Sequence, residues 1–110
     1  MKQFGTAAQH VSREDENTTD MLLERLRTHP SIPIFERADG TGSYTPVPMS
    51  DFVTEVKAVA KGLIASGLEP GDAVAILSRT RYEWALADWA IWWVGGVSVP
   101  IYETSSPSQI

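Results

Sequence analysis

Residues 82–94 read as a helix that is apolar on nearly every side. Trp84, Trp89, Trp92, Trp93, Leu86, Ile91 and Val94 fall at every angle of a 3.6-residue repeat, and Arg81 and Asp88 mark one narrow polar stripe. Such a helix belongs inside a large protein or a membrane. The apolar run at 90–96 is far short of the roughly 20 residues that span a bilayer, so burial in protein is expected, and no transmembrane segment. An aromatic platform for single-stranded nucleic acid would need a basic groove around it. Nine Lys and Arg stand against fourteen Asp and Glu, a net charge of −5, which opposes a nucleic-acid partner. An exposed aromatic helix could instead serve a non-enzymatic module as its docking surface.

A chain of 110 residues suits one domain and buries roughly 65% of its unfolded surface. Its end suggests that this core is shared with more chain. Ser106-Pro107-Ser108-Gln109 is a capping box, with Ser at the N-cap, Pro at N1 and Gln at N3, and Ile110 would open the helix that follows. The expectation is a polypeptide cut through a larger protein. Absence of cysteine excludes disulfides and thiolate zinc sites and suits a reducing compartment. No basic flank followed by an apolar core marks the first residues as a secretory signal.

Ahead of the aromatic helix the chain alternates helix and strand. Residues 1–18, with the acidic cluster Glu14-Asp15-Glu16, read as a mobile, solvated arm. Residues 20–28 form a short helix capped by Asn17 or Thr19. Leu22, Leu23 and Leu26 make its apolar face, Arg25 and Arg27 suit its last turn, and Pro30 forces His29 out of helical geometry. Residues 33–47 read as a β-hairpin that turns at Asp39-Gly40-Thr41-Gly42, with Pro46 and Pro48 making its second arm an edge.

Residues 51–66 are an amphipathic helix capped by Ser50. Phe52, Val53, Val56, Val59, Ala60, Leu63 and Ile64 form its stripe, and Gly67 with Leu68 forms a Schellman ending. A type II turn at Glu69-Pro70-Gly71-Asp72 leads into a strand at 73–77. That strand does not alternate, so both faces should be covered. After the aromatic helix, Gly95-Gly96 precedes a strand at 97–102. Strand, crossover helix and strand make a parallel βαβ unit, so the fold class is α/β, an N-terminal hairpin plus a βαβ unit.

Chemistry-bearing patterns are sparse. His10 and His29 read as surface residues, and no nucleophile elbow or Walker loop is present. Gly40-Thr41-Gly42 is a weak glycine-rich echo with no helix start in register. Arg79 and Arg81 could hold an anion at a helix start, although ion pairing is the commoner fate of such arginines. Thr104-Ser105-Ser106 is explained by capping. No catalytic, cofactor-binding or metal-binding residue is assigned.

The ordered pattern resembles the AMP-binding adenylate-forming enzymes. Leu68-Glu69-Pro70-Gly71-Asp72-Ala73-Val74-Ala75-Ile76 is similar to the family's helix-terminal "GL-x-x-GD-x-V-A-I" segment. Ser78-Arg79-Thr80-Arg81-Tyr82-Glu83-Trp84 looks like its "N-R-x-E-W" stretch, with Ser78 where Asn and Tyr82 where Pro often stand. Pro100-Ile101-Tyr102-Glu103-Thr104-Ser105-Ser106 is similar to a segment of the long-chain fatty acid–CoA ligase branch.

The resemblance implies that residues 19–110 are an incomplete part of the large N-terminal domain. The parent would convert a fatty acid and ATP to acyl-adenylate, with Mg²⁺ assisting, and then form a thioester with CoA. An acyl-AMP ligase is the sibling alternative. The family's phosphate loop, adenine and ribose motifs and catalytic lysine map to no residue here. Residues 1–110 are thus expected to bind no cofactor and to be inactive alone. The rest of the polypeptide is expected to cover the Trp-rich helix. A cytoplasmic protein is implied, with peripheral membrane association as a variant.

Overall fold

A computed structural model describes residues 4–8 and 10–109. The elements are α1 (Thr18–Thr28), β1 (Pro33–Ala38), β2 (Tyr44–Pro48), α2 (Met49–Ala65), β3 (Ala73–Leu77), α3 (Tyr82–Trp93) and β4 (Val97–Ile101), then a 3-10 turn at Pro107–Gln109. Strands β1 and β2 pair antiparallel and β3 and β4 pair parallel, as the alternation of the sequence suggests. The described residues ahead of Asn17 hold no helix or strand.

Helix α1 begins two positions before the expected start because Asn17, rather than Thr19, is its cap. The Asn17 Oδ1 accepts from the N–H groups of Thr19 (2.9 Å) and Asp20 (3.1 Å), and Asp20 Oδ2 accepts from the Asn17 N–H at 3.0 Å. Both partners of a capping box are thereby in place. Leu22 enters the core and Leu26 packs at its edge, but Leu23 is left exposed.

The hairpin turns where expected. Gly40 and Gly42 take φ of 81° and 95°, which side chains resist. The Asp39 carboxylate accepts from the Thr41 N–H (2.8 Å), the Thr41 hydroxyl (2.7 Å) and the Ser43 N–H (3.2 Å). A protein carboxylate therefore occupies the donors of this glycine-rich turn. The pairing slips between Pro33 and Phe35, and β2 extends to Pro48.

Helix α2 departs from expectation at its start. It opens at Met49, two residues early, and Ser50 is inside the first turn rather than its cap. The Ser50 hydroxyl donates to Asp51 Oδ1 at 3.2 Å instead. The reason is tertiary. The Met49 N–H donates to the Ile32 carbonyl and the Ser50 N–H to the Pro30 carbonyl, each at 2.9 Å. Two amides that a side chain would otherwise satisfy are met by the backbone entering β1.

Phe52, Val53, Val56 and Ala60 are buried, with Val59 and Leu63 packed beside them. Ile64, expected in the stripe, is exposed, because α1, α3 and β2 cover one side of α2 only. The ending is the expected Schellman pair: Leu68 N–H to the Leu63 carbonyl (3.1 Å) and Gly67 N–H to the Ile64 carbonyl (2.9 Å).

The β3–β4 pair starts where the Gly71 N–H donates to the Gly95 carbonyl at 2.8 Å and the Val97 N–H to the Asp72 carbonyl at 2.7 Å. Ala73 then faces Val97, and each following pair stays in step to Leu77 opposite Ile101. The expectation that both faces of β3 are covered is not met within this chain. Ile76 is buried and Val74 half-buried, whereas Leu77 is 59% exposed. On β4, Val97 (52%) and Val99 (40%) are exposed as well, so α3 covers one face and the other is open.

Helix α3 lies between α2 and this sheet. Tyr82 and Ala90 are buried in the main core, with Leu86, Trp89 and Trp93 packed against it. Ile91 points the other way, and a methyl group added at Gly96 would meet its Cγ2 at 3.0 Å. Val94 is the C-cap, and the Gly95 and Gly96 N–H groups close a second Schellman-type ending on the Trp92 and Ile91 carbonyls. The expected polar stripe is corrected. Arg81 stands exposed at the N-cap position, outside the helix, and Asp88 is buried.

Ser106 precedes a 3-10 turn, Pro107–Gln109, which stands in place of the expected first turn of an α-helix. The expectation for Ile110 lies outside the described residues, and so does the Gln109 side chain.

Candidate functional site at the carboxyl edge of the parallel sheet

In open α/β sheets, ligands sit in the crevice beyond the carboxyl ends of parallel strands. Here the segments that leave β3 and β4 border a cleft of about 320 Å³, lined among others by Arg79, Thr80, Trp84, Tyr102, Glu103 and Thr104. Pro100 and Ile101 at the end of β4 also line it. Most of the segments noted above for their resemblance thus converge here: the stretch before α3 and the Pro-Ile-Tyr-Glu-Thr run.

The charged groups at this edge are mutually paired. Arg79 Nε is 3.5 Å from Glu103 Oε2, and both side chains are largely in solvent. Arg81 Nε donates to Glu83 Oε2 at 2.6 Å, and Arg37 Nη2 donates to Glu83 Oε1 at 2.8 Å. The two arginines weighed as anion ligands therefore each carry a carboxylate partner. The hydrogen bond from Arg81, with those from the Glu83 N–H and from Arg37, outweighs partial desolvation and holds the Glu83 carboxyl down at about 2.

Arg37 extends this network to the core. Its guanidinium carbon stands 5.0 Å above the Tyr82 ring, and Nη1 is 4.0 Å from Glu55 Oε2. Tyr82 meets Phe35 and Phe52 edge-on, with centroids 5.7 and 6.1 Å away. Phe35 and Phe52 themselves are 4.9 Å apart. The Tyr82 hydroxyl is enclosed without a hydrogen-bond partner among the described residues. Burial, and then the neighbouring Glu55 carboxylate, push it up to about 12.

Pattern reading missed this cluster, although a signal existed. Phe35 and Arg37 are two apart on one strand and so share a face. That face places Arg37 against Tyr82 at the first turn of α3, joining the hairpin to the βαβ unit.

The two histidines lie away from the cleft. His10 Nε2 is 2.8 Å from Glu16 Oε2, a carboxylate neighbour that sequence spacing did not suggest, and His29 Nδ1 is 2.8 Å from the Thr28 hydroxyl. Among the described residues no group of three or more His, Asp and Glu side chains could hold a metal ion. The Ser105 N–H donates to the Tyr102 carbonyl at 3.0 Å, and the hydroxyls of Ser106 and Ser108 are 2.9 Å apart, so this hydroxyl-rich stretch is engaged in its own turn. The arrangement braces and orients backbone segments. It assembles no nucleophile with a base among the described residues.

The family described as AMP-binding enzyme matches residues 22–110. A long-chain-fatty-acid–CoA ligase of Mycobacterium bovis is 41% identical over 110 residues, covering 100% of this chain and 18% of that protein. The peroxisomal long chain acyl-CoA synthetase 7 of Arabidopsis thaliana is 35% identical over 75 residues, 67% of this chain and 11% of its own length. Among solved structures, the fatty acid AMP ligase from Legionella pneumophila superposes with a TM-score of 0.71 at 22% identity, covering 82% of this chain and 16% of that one. At that identity the likeness is one of fold. The chain thus spans less than a fifth of the length of these relatives.

Proposed function

This chain belongs to the AMP-binding enzyme family, and from that premise we propose that it forms the opening scaffold of a long-chain fatty acid–CoA ligase. The observation that carries the reading is the 41% identity to a mycobacterial ligase of that name, which runs the whole length of the chain. In this reading residues 1–18 are an arm and residues 19–110 an N-terminal portion of the AMP-binding domain. The parent joins a fatty acid carboxylate to the α-phosphate of ATP with release of pyrophosphate, and CoA thiol then displaces AMP. No residue described here is given a role in either step.

Within the parent, this segment orients the crevice edge. The Arg37–Glu83–Arg81 bridge and the Phe35–Phe52–Tyr82 cluster tie the hairpin to the start of α3. That start borders the crevice through Trp84 and Thr80. The same reading puts the protein in the cytoplasm. Separately, none of the described helices is long and apolar enough to cross a membrane.

The test joins residues 1–110 to the remaining sequence of the mycobacterial ligase. Fatty-acid-dependent ATP–pyrophosphate exchange and thioester formation by that polypeptide, with neither from residues 1–110 alone, is the expected result. A folded polypeptide with neither activity would refute the ligase reading.

A further inference from the structure

Asp88 is the only buried charged side chain among the described residues, at 9% exposed, and it forms no hydrogen bond or ion pair with any of them. A carboxylate set in a mostly covered row without a protein donor is better satisfied by a charged donor than by the little water that reaches it. Its oxygens are not among the fully enclosed, unbonded atoms, which are the Tyr82 hydroxyl and Ser98 Oγ, so a partner can still reach it.

Helical spacing places Asp88 on the flank of α3 turned away from the Tyr82–Ala90 core, three residues before the sheet-facing Ile91. Trp84 and Trp92 lie one turn to either side on the same row. Trp92 is 39% exposed and is held edge-on against Trp89, with centroids 5.3 Å apart. Along this row of the helix an aspartate therefore stands between two tryptophan positions, one of the indoles open.

We infer that Asp88 is a docking anchor for an arginine side chain carried by the same polypeptide beyond residue 110. Charge selects a cation. The flanking indoles select the planar, weakly hydrated guanidinium, which stacks on aromatic faces while it donates two bonds to a carboxylate. The mycobacterial relative supplies the length argument, since this chain covers 18% of it and leaves ample polypeptide to provide the segment. The inference rests on the reading of the chain as the opening part of a ligase.

The experiment uses the polypeptide that continues residues 1–110 with the remaining mycobacterial sequence. D88N and D88L are expected to lower its melting midpoint by about 3 °C or more, because each strands a buried guanidinium. D88E should recover part of the shift. Trp92 should resist hydroxyl-radical oxidation in the parent polypeptide and become more reactive in D88N, a readout that survives if D88L fails to fold.

An unchanged or raised midpoint in D88N, with Trp92 as reactive as in residues 1–110 alone, would overturn the anchor. That result in a polypeptide with full ligase activity sinks the anchor and leaves the ligase reading standing. A lowered midpoint with no fatty acid activation supports the anchor and sinks the ligase reading. Protection of Trp92 that appears only when a separate arginine-rich peptide is added would assign the row to another molecule and reject the intramolecular partner.

Discussion

Arg37 shows how one side chain can join two halves of a small structure. Its charge meets Glu83 near solvent, where an ion pair contributes little, but its guanidinium also covers the inward-facing Tyr82 ring. Arg37→Ala should therefore lower stability by about 1 kcal/mol, whereas Arg81→Ala should leave the urea midpoint nearly unchanged. The pair of midpoints checks both. The same cluster shapes the pH dependence. Glu83 is held at about 2, below its ordinary 4.5, so its contribution is full above pH 4.5 and is lost as pH falls towards 2. Tyr82 is raised from 10 to about 12, so its contribution is full below pH 10 and is lost as pH climbs to 12. Urea midpoints across pH 2–12 should show both limbs. Glu83→Gln should flatten the acid one, modestly, because its side chain is 38% exposed.

At the scale of elements, α2 carries the most instructive departure. Local rules name Ser50 as its cap, and an N-cap Ser changed to Ala typically loses about 1 kcal/mol. Because the carbonyls of Pro30 and Ile32 satisfy the first amides, Ser50→Ala should change stability by less than about 0.5 kcal/mol. Phe52→Ala should cost about 3–5 kcal/mol, since Phe52 is fully buried between Phe35 and Tyr82. Chemical denaturation of the two variants separates a cap written in the local sequence from one supplied by the fold. The βαβ unit has its own tight point. Gly96→Ala brings a methyl to 3.0 Å from Ile91 Cγ2 and 3.2 Å from the Ile91 carbonyl, so Ile91 and the end of α3 must give way by a few tenths of an ångström, roughly. A loss of stability of about 1–3 kcal/mol is expected from that overpacking.

The whole molecule is organised around α3, which has partners on two sides, and around a two-stranded parallel sheet covered on one. Leu77, Val97 and Val99 present an apolar surface that parallel strands normally bury. Changing Val97 and Val99 together to Thr should raise the solubility of residues 1–110, measured by light scattering, and destabilise the chain once it is continued into a full-length ligase. Element order, the hairpin turn, both glycine-dependent helix endings, the parallel βαβ unit and the resemblance to AMP-binding enzymes all follow from the sequence alone. Each depends on chemistry within a few residues: a left-handed glycine, a period of 3.6 or 2, or a motif string. Only the tertiary structure decided that backbone carbonyls cap α2, that Arg37 bridges to Glu83 over Tyr82, that Leu23 and Ile64 remain in solvent, and that Asp88 is buried. Those outcomes depend on which surfaces distant segments cover, and a periodic pattern carries a residue's angle on its own helix but not the identity of the neighbour that meets it.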